Sequence, residues 1–543
     1  MMIGVLSKDH DALIVSEFFE LFKTPWEYYD PTHRYDVVLA SGESLPETDA
    51  SLVVIYSAEK MPSDNGDIFE QSSSNAETFV HCDNLKLPIY GKTIAFRTHD
   101  GIPVLRNENG ITLGYEKRSG QQRVLRIGYD LFDEVYFLLT KGQPPENALF
   151  PTLDHHIAML RRFIVETGVP LVEIPPFPAG HKFIACLTHD VDFISLRHHL
   201  IDHSFLGFLY RATLGSAINF IEKKIPFSAL AENLLAVLLL PFIFTKGYKD
   251  PWNQFDHYME IEQGNPSTFF FIPFKNQPGE GFHEKKQTYR AAKYDVDDVK
   301  DTIRILLSHG CEAGVHGIDA WHSTEKAREE RDRVAQTATS ERIGVRMHWL
   351  CMNDKTFRVL EQAGYDYDSS VGFNDAVGFR AGTAQVYKPI GVERLLELPM
   401  HVQDSALFNP GRMNLTKSHS KELCNQILGH CAGQEGGVFT LLWHQRSIGP
   451  ERLWGPFYSF LIRRLHDENG WFATAQDCVD WFRMRRSARF MANNTVDIPY
   501  RPDKFKSFPK LLLRTYENQA LDRDSAQKKT TPFLDKPIDW PAQ

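Results

Sequence analysis

The sequence predicts an α/β protein in two parts, a β/α barrel beginning near residue 179 and a separate, smaller α/β region before it. Three observations predict this. Through residues 179–490, short apolar runs alternate with amphipathic helical stretches, the pattern of parallel strands joined by crossover helices. Many of those runs end in Asp, Arg or His, and reactive side chains gathered at the C-terminal ends of packed strands are what a barrel rim requires. Finally, residues 170–180 hold four prolines, Pro170, Pro175, Pro176 and Pro178, and read as a linker between the parts.

Taken in order, the first region, residues 1–178, opens with an apolar run at 3–6. A helical pattern follows at 12–22, and further apolar runs stand at 36–40 and 52–55. Runs at 94–97, 104–105 and 124–127 read as more hairpin-like strands, with turn dipeptides at Asn109-Gly110 and Ser119-Gly120. A helix is expected at 157–167. Neither a phosphate loop nor a Gly-x-Gly-x-x-Gly run occurs here, so this half announces no chemistry. In the second part, strands are expected at 183–187, 268–272, 313–315, 344–345, 395–400 and 438–443. Helices are expected at 296–308 and 355–363, the latter closed by Gly364 at a C-cap position. Residues 491–543 turn polar and lysine-rich and read as a C-terminal tail, wrapping the surface or mobile.

A length of 543 residues corresponds to about two to four domains. A formal charge of -10 without a basic stripe argues against a nucleic-acid partner. Seven cysteines with no Cys-x-x-Cys pair suit a reducing compartment. The start reads as a strand and not as a secretory leader, so the expected location is cytoplasmic. Residues 205–244 are unusually apolar, yet Arg211, Glu222, Lys223, Lys224, Glu232 and Asn233 interrupt them. The longest clean run, 234–244, falls well short of the roughly 20 residues of a spanning helix. Two amphipathic helices are expected within an insertion at about 197–250. They either pack on the barrel or offer an apolar face for peripheral contact with the inner membrane.

The chemistry concentrates at four places. In Leu187-Thr188-His189-Asp190-Val191-Asp192, the two aspartates stand at i and i+2 of an extended segment and face one way. Two carboxylates in one space repel unless a cation sits between them; the structural alternative is a loop that caps the next helix. In Glu312-Ala313-Gly314-Val315-His316-Gly317, His316 follows a strand directly, with His322 six residues on and Asp319 at i+3. Neutral imidazole is a favoured ligand of zinc and neighbouring metals, and a satisfied structural histidine is the alternative. Strand 438–443 ends in His444, placed to give a proton to a leaving group. Arg346, in Gly344-Val345-Arg346-Met347-His348, is placed to pair with Asp190. Trp321, Trp349 and Trp443 stand beside these residues, and aromatic faces suit the apolar side of a sugar ring as well as a core.

These residues, together with Ser267-Thr268-Phe269-Phe270-Phe271 and Leu441-Leu442-Trp443-His444, fall in the order of the NodB-homology motifs. Over about 270 residues, apart from the insertion, the chain resembles polysaccharide deacetylases of carbohydrate esterase family 4. The resemblance implies a distorted (β/α) barrel of NodB type holding one divalent metal, often zinc, and hydrolysing the N-acetyl amide of a sugar; with the cytoplasmic reading, the expected carbohydrate is a bacterial surface polysaccharide or its lipid-linked precursor. Asp190 matches the base, Arg346 the residue that orients it, and His444 the general acid. Asp192 and His316 match metal ligands.

Three departures stand out. Val191 separates the aspartates that are commonly adjacent. The second motif commonly has His at i+4, where this chain has Ala320, so the third ligand falls to His322, with Asp319 close behind. The partner that tunes the acid histidine is missing from its usual motif, and His401 or Asp404 is left to fill the place. Two other readings stand beside this one: a deformylase or amidase acting on a non-polysaccharide amide, as related barrels do, and a degenerate barrel that only binds glycan, which the incomplete second motif supports.

Overall fold

The run from Phe183 to Val191 carries no charged residue before Asp190, as a strand covered on both faces requires. In a computed structural model of the chain it forms a nine-residue strand, buried along its whole length. The structure describes residues 1–42, 47–61, 64, 68–72, 78–83, 85–97, 101–200, 202–280, 290–491, 495–502, 505–516 and 533–539.

Nine strands build the barrel part. They are β1 (Phe183–Val191), β2 (Thr268–Phe271), β3 (Glu312–Gly317), β4 (Val345–Met347), β5 (Tyr367–Asp368), β6 (Leu396–Glu397), β7 (Val402–Gln403), β8 (Val438–Leu442) and β9 (Gly470–Ala473). Their order in space is β6-β5-β4-β3-β2-β1-β8-β7, every neighbour parallel, and β9 pairs with the first half of β1. The sheet curls into an open half-barrel. Because all strands run the same way, their C-terminal ends share one rim. Register aligns the key positions there: His316 lies beside Arg346, and Thr188 beside Leu442. Helices Phe255–Glu262, Lys300–Ser308, Thr324–Ala338, Thr356–Ala363, Lys417–Cys431 and Gly455–Asp467 bury apolar side chains against the strands in one core.

Two of the elements that differ in extent from the sequence reading do so for a local reason. The run 395–400 shrinks to the two residues of β6, since Pro399 has no N–H to offer a ladder and the chain bends there into β7. The stretch 296–308 opens as a 3-10 turn, Val296–Val299, behind a capping box of Asp295 and Asp298, before the α-helix begins at Lys300.

The first region has its own sheet and core. Trp26–Tyr28, Ile3–Leu6, Val37–Ser41, Leu52–Tyr56 and Gln122–Ile127 lie parallel in that spatial order. Antiparallel strands Thr112–Ser119, Ile102–Asn107, Thr78–Cys82 and Leu85–Ile89 continue the sheet. Gly110 and Gly120 turn the two hairpins at φ 77° and 62°, where residues with a Cβ are strained. Strand Thr93–Phe96 leaves this sheet and pairs with Ile68–Ser72. Buried polar contacts join the region to the barrel. Asp154, at the start of helix Thr152–Val165, accepts from the Thr383 hydroxyl at 2.6 Å and from His430 Nε2 at 2.8 Å. Glu17 is forked by Arg486 at 2.7 Å.

The expected linker at 170–180 contains a strand, Leu171–Glu173, which pairs with Leu512–Tyr516; that strand in turn pairs with Phe533–Pro537. The C-terminal segment is thus sewn onto the linker over these residues. Residues 492–494, 503–504, 517–532 and 540–543 of the expected tail lie outside the described residues.

The insertion leaves the rim directly after Asp192. It forms helices His203–Tyr210, Ser216–Ile221, Phe227–Leu238 and Leu240–Phe244, with a π turn at Arg211–Gly215. One face buries Leu196, Phe208, Ala212 and Ala236 around Trp252. The other leaves Leu206, Tyr210, Leu214, Ile221, Phe227 and Leu238 more than half exposed. Among the described residues no helix is long and apolar enough to cross a membrane.

Candidate active site

Asp190 is the eighth residue of β1, and Asp192 follows the strand's end. The alternation of an extended chain turns both carboxylates to one side, while Val191 is buried and its carbonyl accepts from the Tyr294 hydroxyl. Asp190 Oδ2 stands 3.7 Å from His316 Nε2, and Asp192 Oδ1 stands 3.3 Å from the same nitrogen. His189 points the opposite way and is structural. Its ring lies 2.8 Å from Glu262 and 2.8 Å from the Trp443 carbonyl.

Arg346 is fully buried on β4. Its Nη1 donates to Asp190 Oδ1 at 3.1 Å and to the Thr188 hydroxyl at 2.7 Å. Nε and Nη2 reach the Ser369 carbonyl and hydroxyl. Phe270 lies under the guanidinium at 4.6 Å. Every side of the group is engaged, so the orientation of Asp190 is fixed from below.

His316 and His348 complete a cluster with Asp192. His348 Nδ1 lies 3.2 Å from Asp192 Oδ1 and 2.9 Å from His316 Nε2. One ligand atom from each of the three residues lies within 4.8 Å of the other two. The donor set fits a divalent cation. Asp192 Oδ1 is buried without a hydrogen-bond partner, a costly state for a carboxylate oxygen. His316 Nδ1 lies 3.0 Å from the Arg346 carbonyl, which fixes the tautomer and leaves Nε2 free for the cluster. Burial opposes the charge on Asp192, but His348, His316 and His444 hold its pKa well below the usual carboxylate range. Burial pulls His348 down, toward the neutral form in which imidazole ligates.

His322, the expected third ligand, does not belong to this cluster. It stands just before the helix Thr324–Ala338, 3.4 Å from Asp319 and 3.7 Å from Glu280. Asp319 lies outside the cluster too, accepting the Glu280 backbone N–H at 2.6 Å. Six residues past the strand carry the chain beyond the rim and onto the next helix. His348 is two residues beyond Arg346 and faces the same way by the same alternation that pairs Asp190 with Asp192, so a signal for it existed in the sequence. Trp349 and Leu350 follow at φ 63° and 54°. Two successive non-glycine residues in the left-handed region cost on the order of 1–3 kcal/mol each, and they turn the chain sharply at the edge of the site.

Opposite Asp190, His444 stands two residues past the end of β8. Asp404 accepts from its Nδ1 at 2.6 Å and from its backbone N–H at 2.8 Å, so of the two candidates it is Asp404 that partners this histidine. His401 is buried elsewhere, beside the Thr383 carbonyl and Phe379. Burial opposes a proton on His444, but Asp404, with Asp192 and Asp190, raises the pKa. His444 Nε2 faces Asp192 Oδ2 at 3.8 Å.

A cavity of about 240 Å³ opens over these groups. Trp349 lines it and is 40% exposed. Trp321 and Trp443 are buried in the core. Arg290, Arg412, Arg446 and Arg452 also line the cavity; none belongs to a recognisable motif, and the sequence reading passed over them.

No protein-family model matches the chain, and no curated protein does. Solved structures do. A candidate polysaccharide deacetylase from Mycobacterium smegmatis is 17% identical, with 100% of its length covered against 61% of this chain and a TM-score of 0.35. The allantoinase Puue is 13% identical over 56% of this chain and 91% of its own, with a TM-score of 0.33. The carbohydrate deacetylase Agd3 is 7% identical over 95% of this chain and 91% of its own, with a TM-score of 0.34. In the order of its motifs and in the parallel half-barrel that carries them, the chain resembles polysaccharide deacetylases of the NodB type.

Proposed function

We propose that the protein is a metal-dependent hydrolase that removes N-acetyl groups from a carbohydrate. The observation that carries this reading is the convergence of Asp192, His316 and His348 between Asp190, held by Arg346, and His444, held by Asp404. A divalent cation on those three ligands, zinc by its preference for imidazole and carboxylate, supplies Lewis acidity toward the amide carbonyl and toward water. Asp190, with Oδ1 tied to Arg346, presents Oδ2 to take the proton of the attacking water. His444, its Nδ1 tied to Asp404, presents Nε2 to protonate the leaving nitrogen. A C–O bond forms, the C–N bond breaks, and acetate leaves with a free amine on the sugar. Trp349 offers an exposed indole face to the ring.

The substrate we favour is a bacterial surface polysaccharide or its lipid-linked precursor, met by a cytoplasmic enzyme at the inner membrane. Support comes from the insertion. Besides its exposed apolar side chains it exposes Lys223 and Lys246, together with Lys224 and Lys249, which pair with Glu222 and Asp256, and apolar groups beside lysines suit the surface of an anionic bilayer. It leaves the rim at Asp192, and Phe193, which lines the cavity, packs on Trp252 at its base.

The test is acetate release from N-acetylated saccharides by the zinc-loaded protein. Chelation should abolish it and added zinc restore it, and Asp190→Asn should lower it by about 10²–10⁴-fold. Hydrolysis that survives complete chelation would sink the proposal. Release of formate in place of acetate would move it to deformylation. Flotation with anionic vesicles tests the membrane contact separately.

A further inference from the structure

Three arginines line the cavity together with Asp192 and His444: Arg412, Arg446 and Arg452. Their charges are poorly balanced. The carboxylate nearest two of them is Glu451, itself fully buried and bound closely by Arg211 at 2.5 Å. Arg452 Nε and Arg446 Nη1 stand 3.7 and 3.9 Å from its other oxygen, beyond hydrogen-bond reach. Both of those nitrogens are buried without a hydrogen-bond partner. What two of the guanidiniums bond is neutral: Arg452 donates to Asn409 Oδ1 at 2.9 Å and Arg412 to the Ser405 hydroxyl at 2.8 Å.

Among the described residues, the exposed Asp375 also acts on Arg412, while the other carboxylates nearby are committed. Asp404 spends both oxygens on His444, and Asp192 faces His316 and His348. Arg446 lies over the rings of Phe193 and Trp252 at 3.9 and 4.9 Å, contacts that hold a guanidinium in place without neutralising it. Arg446 and Arg452 keep 14% and 13% of their side chains exposed.

Buried cations short of a counter-ion are costly. Arginines that served only to tie the loop after β8 would be expected to spend their donors on that loop. Planar guanidiniums with free N–H groups match a phosphate or carboxylate. We infer that the cavity holds, beside the metal-ligating cluster, a subsite for an anionic group of the substrate, built by Arg412, Arg446 and Arg452. The inference rests on the hydrolase reading for the identity of the ligand as a substrate, though not for the binding itself.

Calorimetry on the zinc-loaded full-length protein tests it with three probes: N-acetylglucosamine, its 1-phosphate, and N-acetylmuramic acid. A phosphate subsite binds the 1-phosphate at least about tenfold more tightly than the neutral sugar, and a carboxylate subsite favours N-acetylmuramic acid by a similar factor. The advantage shrinks as salt rises and is lost in Arg446→Gln and in Arg452→Gln. Arg412→Gln serves if either fails to fold. The advantage persists in His348→Ala, which spares the arginines, so that it is not owed to the cation. Equal affinity for charged and neutral probes, or a preference untouched by the arginine substitutions, overturns the inference. Acetate release is read apart from binding: selective binding without turnover would spare the subsite and sink the hydrolase, and unselective turnover would do the reverse.

Discussion

The barrel sheet and the parallel part of the first region's sheet both carry polar residues beyond the ends of their strands, and the two sets behave differently. In the first region, Asp130 gathers the neighbouring groups to itself. Its Oδ1 accepts from the Ser41 hydroxyl at 2.8 Å and from the N–H groups of Phe132 and Asp133, capping helix Leu131–Thr140, and its Oδ2 takes Lys8 at 2.9 Å. The carboxylate is saturated. On the barrel rim the set stays open: Asp192 Oδ1 is buried without a partner while two imidazoles converge on it, and Arg446 and Arg452 each keep a buried nitrogen unpaired. A saturated carboxylate such as Asp130 serves the fold, whereas a buried unpaired oxygen with two imidazoles converging on it calls for a ligand.

Removing one member from each set separates the two roles. His348→Ala should have the largest effect. Loss of groups that merely support a metal ligand costs about 10–100-fold in affinity or activity, so loss of the ligand itself should exceed that in zinc affinity by competition titration. The melting temperature of the metal-free protein should stay near that of the parent. Asp130→Ala should do the opposite. A lost cap costs about 0.5–2 kcal/mol, and a buried hydroxyl left unpaired adds about 1–3 kcal/mol, so unfolding should come at lower denaturant with acetate release per folded molecule unchanged. A drop in turnover for Asp130→Ala matching that of His348→Ala would erase the distinction.

The sequence made the barrel readable because its strands are short apolar runs that stop at reactive residues: 183–187, 313–315 and 438–443 all lie within observed strands or end beside them. Asp190, Asp192, His316, Arg346 and His444 were legible for the same reason, each ending or following such a run. The place of His322 outside the cluster was not legible, because distance along the chain from His316 does not say which strand ends meet. Register sets His316 beside Arg346, and so brings in His348 from the next strand. The arginines of the cavity were illegible: they come from loops whose approach depends on tertiary packing and leaves no period in the sequence. The pairing of 171–173 with 512–516 was hidden likewise, since its two halves lie more than three hundred residues apart.

The contact between the two regions gives a pH-dependent test. His156, on helix Thr152–Val165, and His401, near the same contact, are buried and His155 is half-buried, and removal from water lowers the pKa values of His155, His156 and His401 to about 4, 3 and 4. The unfolded chain takes up these protons near the ordinary histidine value of about 6.5. The stability they contribute is therefore fully present above about pH 6.5 and is lost as pH falls toward 4, by up to about 1.4 kcal/mol per histidine per pH unit. Thermal melts across this window should show the loss, and His156→Gln should flatten the slope by one proton. A melting temperature that is level from pH 6.5 to 4 would mean that these side chains are hydrated in solution.

The smallest effect bears on the sharpest disagreement between sequence and structure. His322 and His348 are both imidazoles within reach of the rim in the chain, yet only His348 enters the cluster with Asp192. His322 Nε2 meets Asp319 and Glu280 at 3.4 and 3.7 Å, in a partly exposed pairing of a kind worth about 0–1 kcal/mol. His322→Ala should therefore change zinc affinity and acetate release by less than about fivefold, the rate equivalent of about 1 kcal/mol, whereas His348→Ala removes a ligand. If His322→Ala instead lost the metal, the rim would have to rearrange on binding, carrying the start of helix Thr324–Ala338 inward, and the ligand set would be chosen by the cation and not by the strand register.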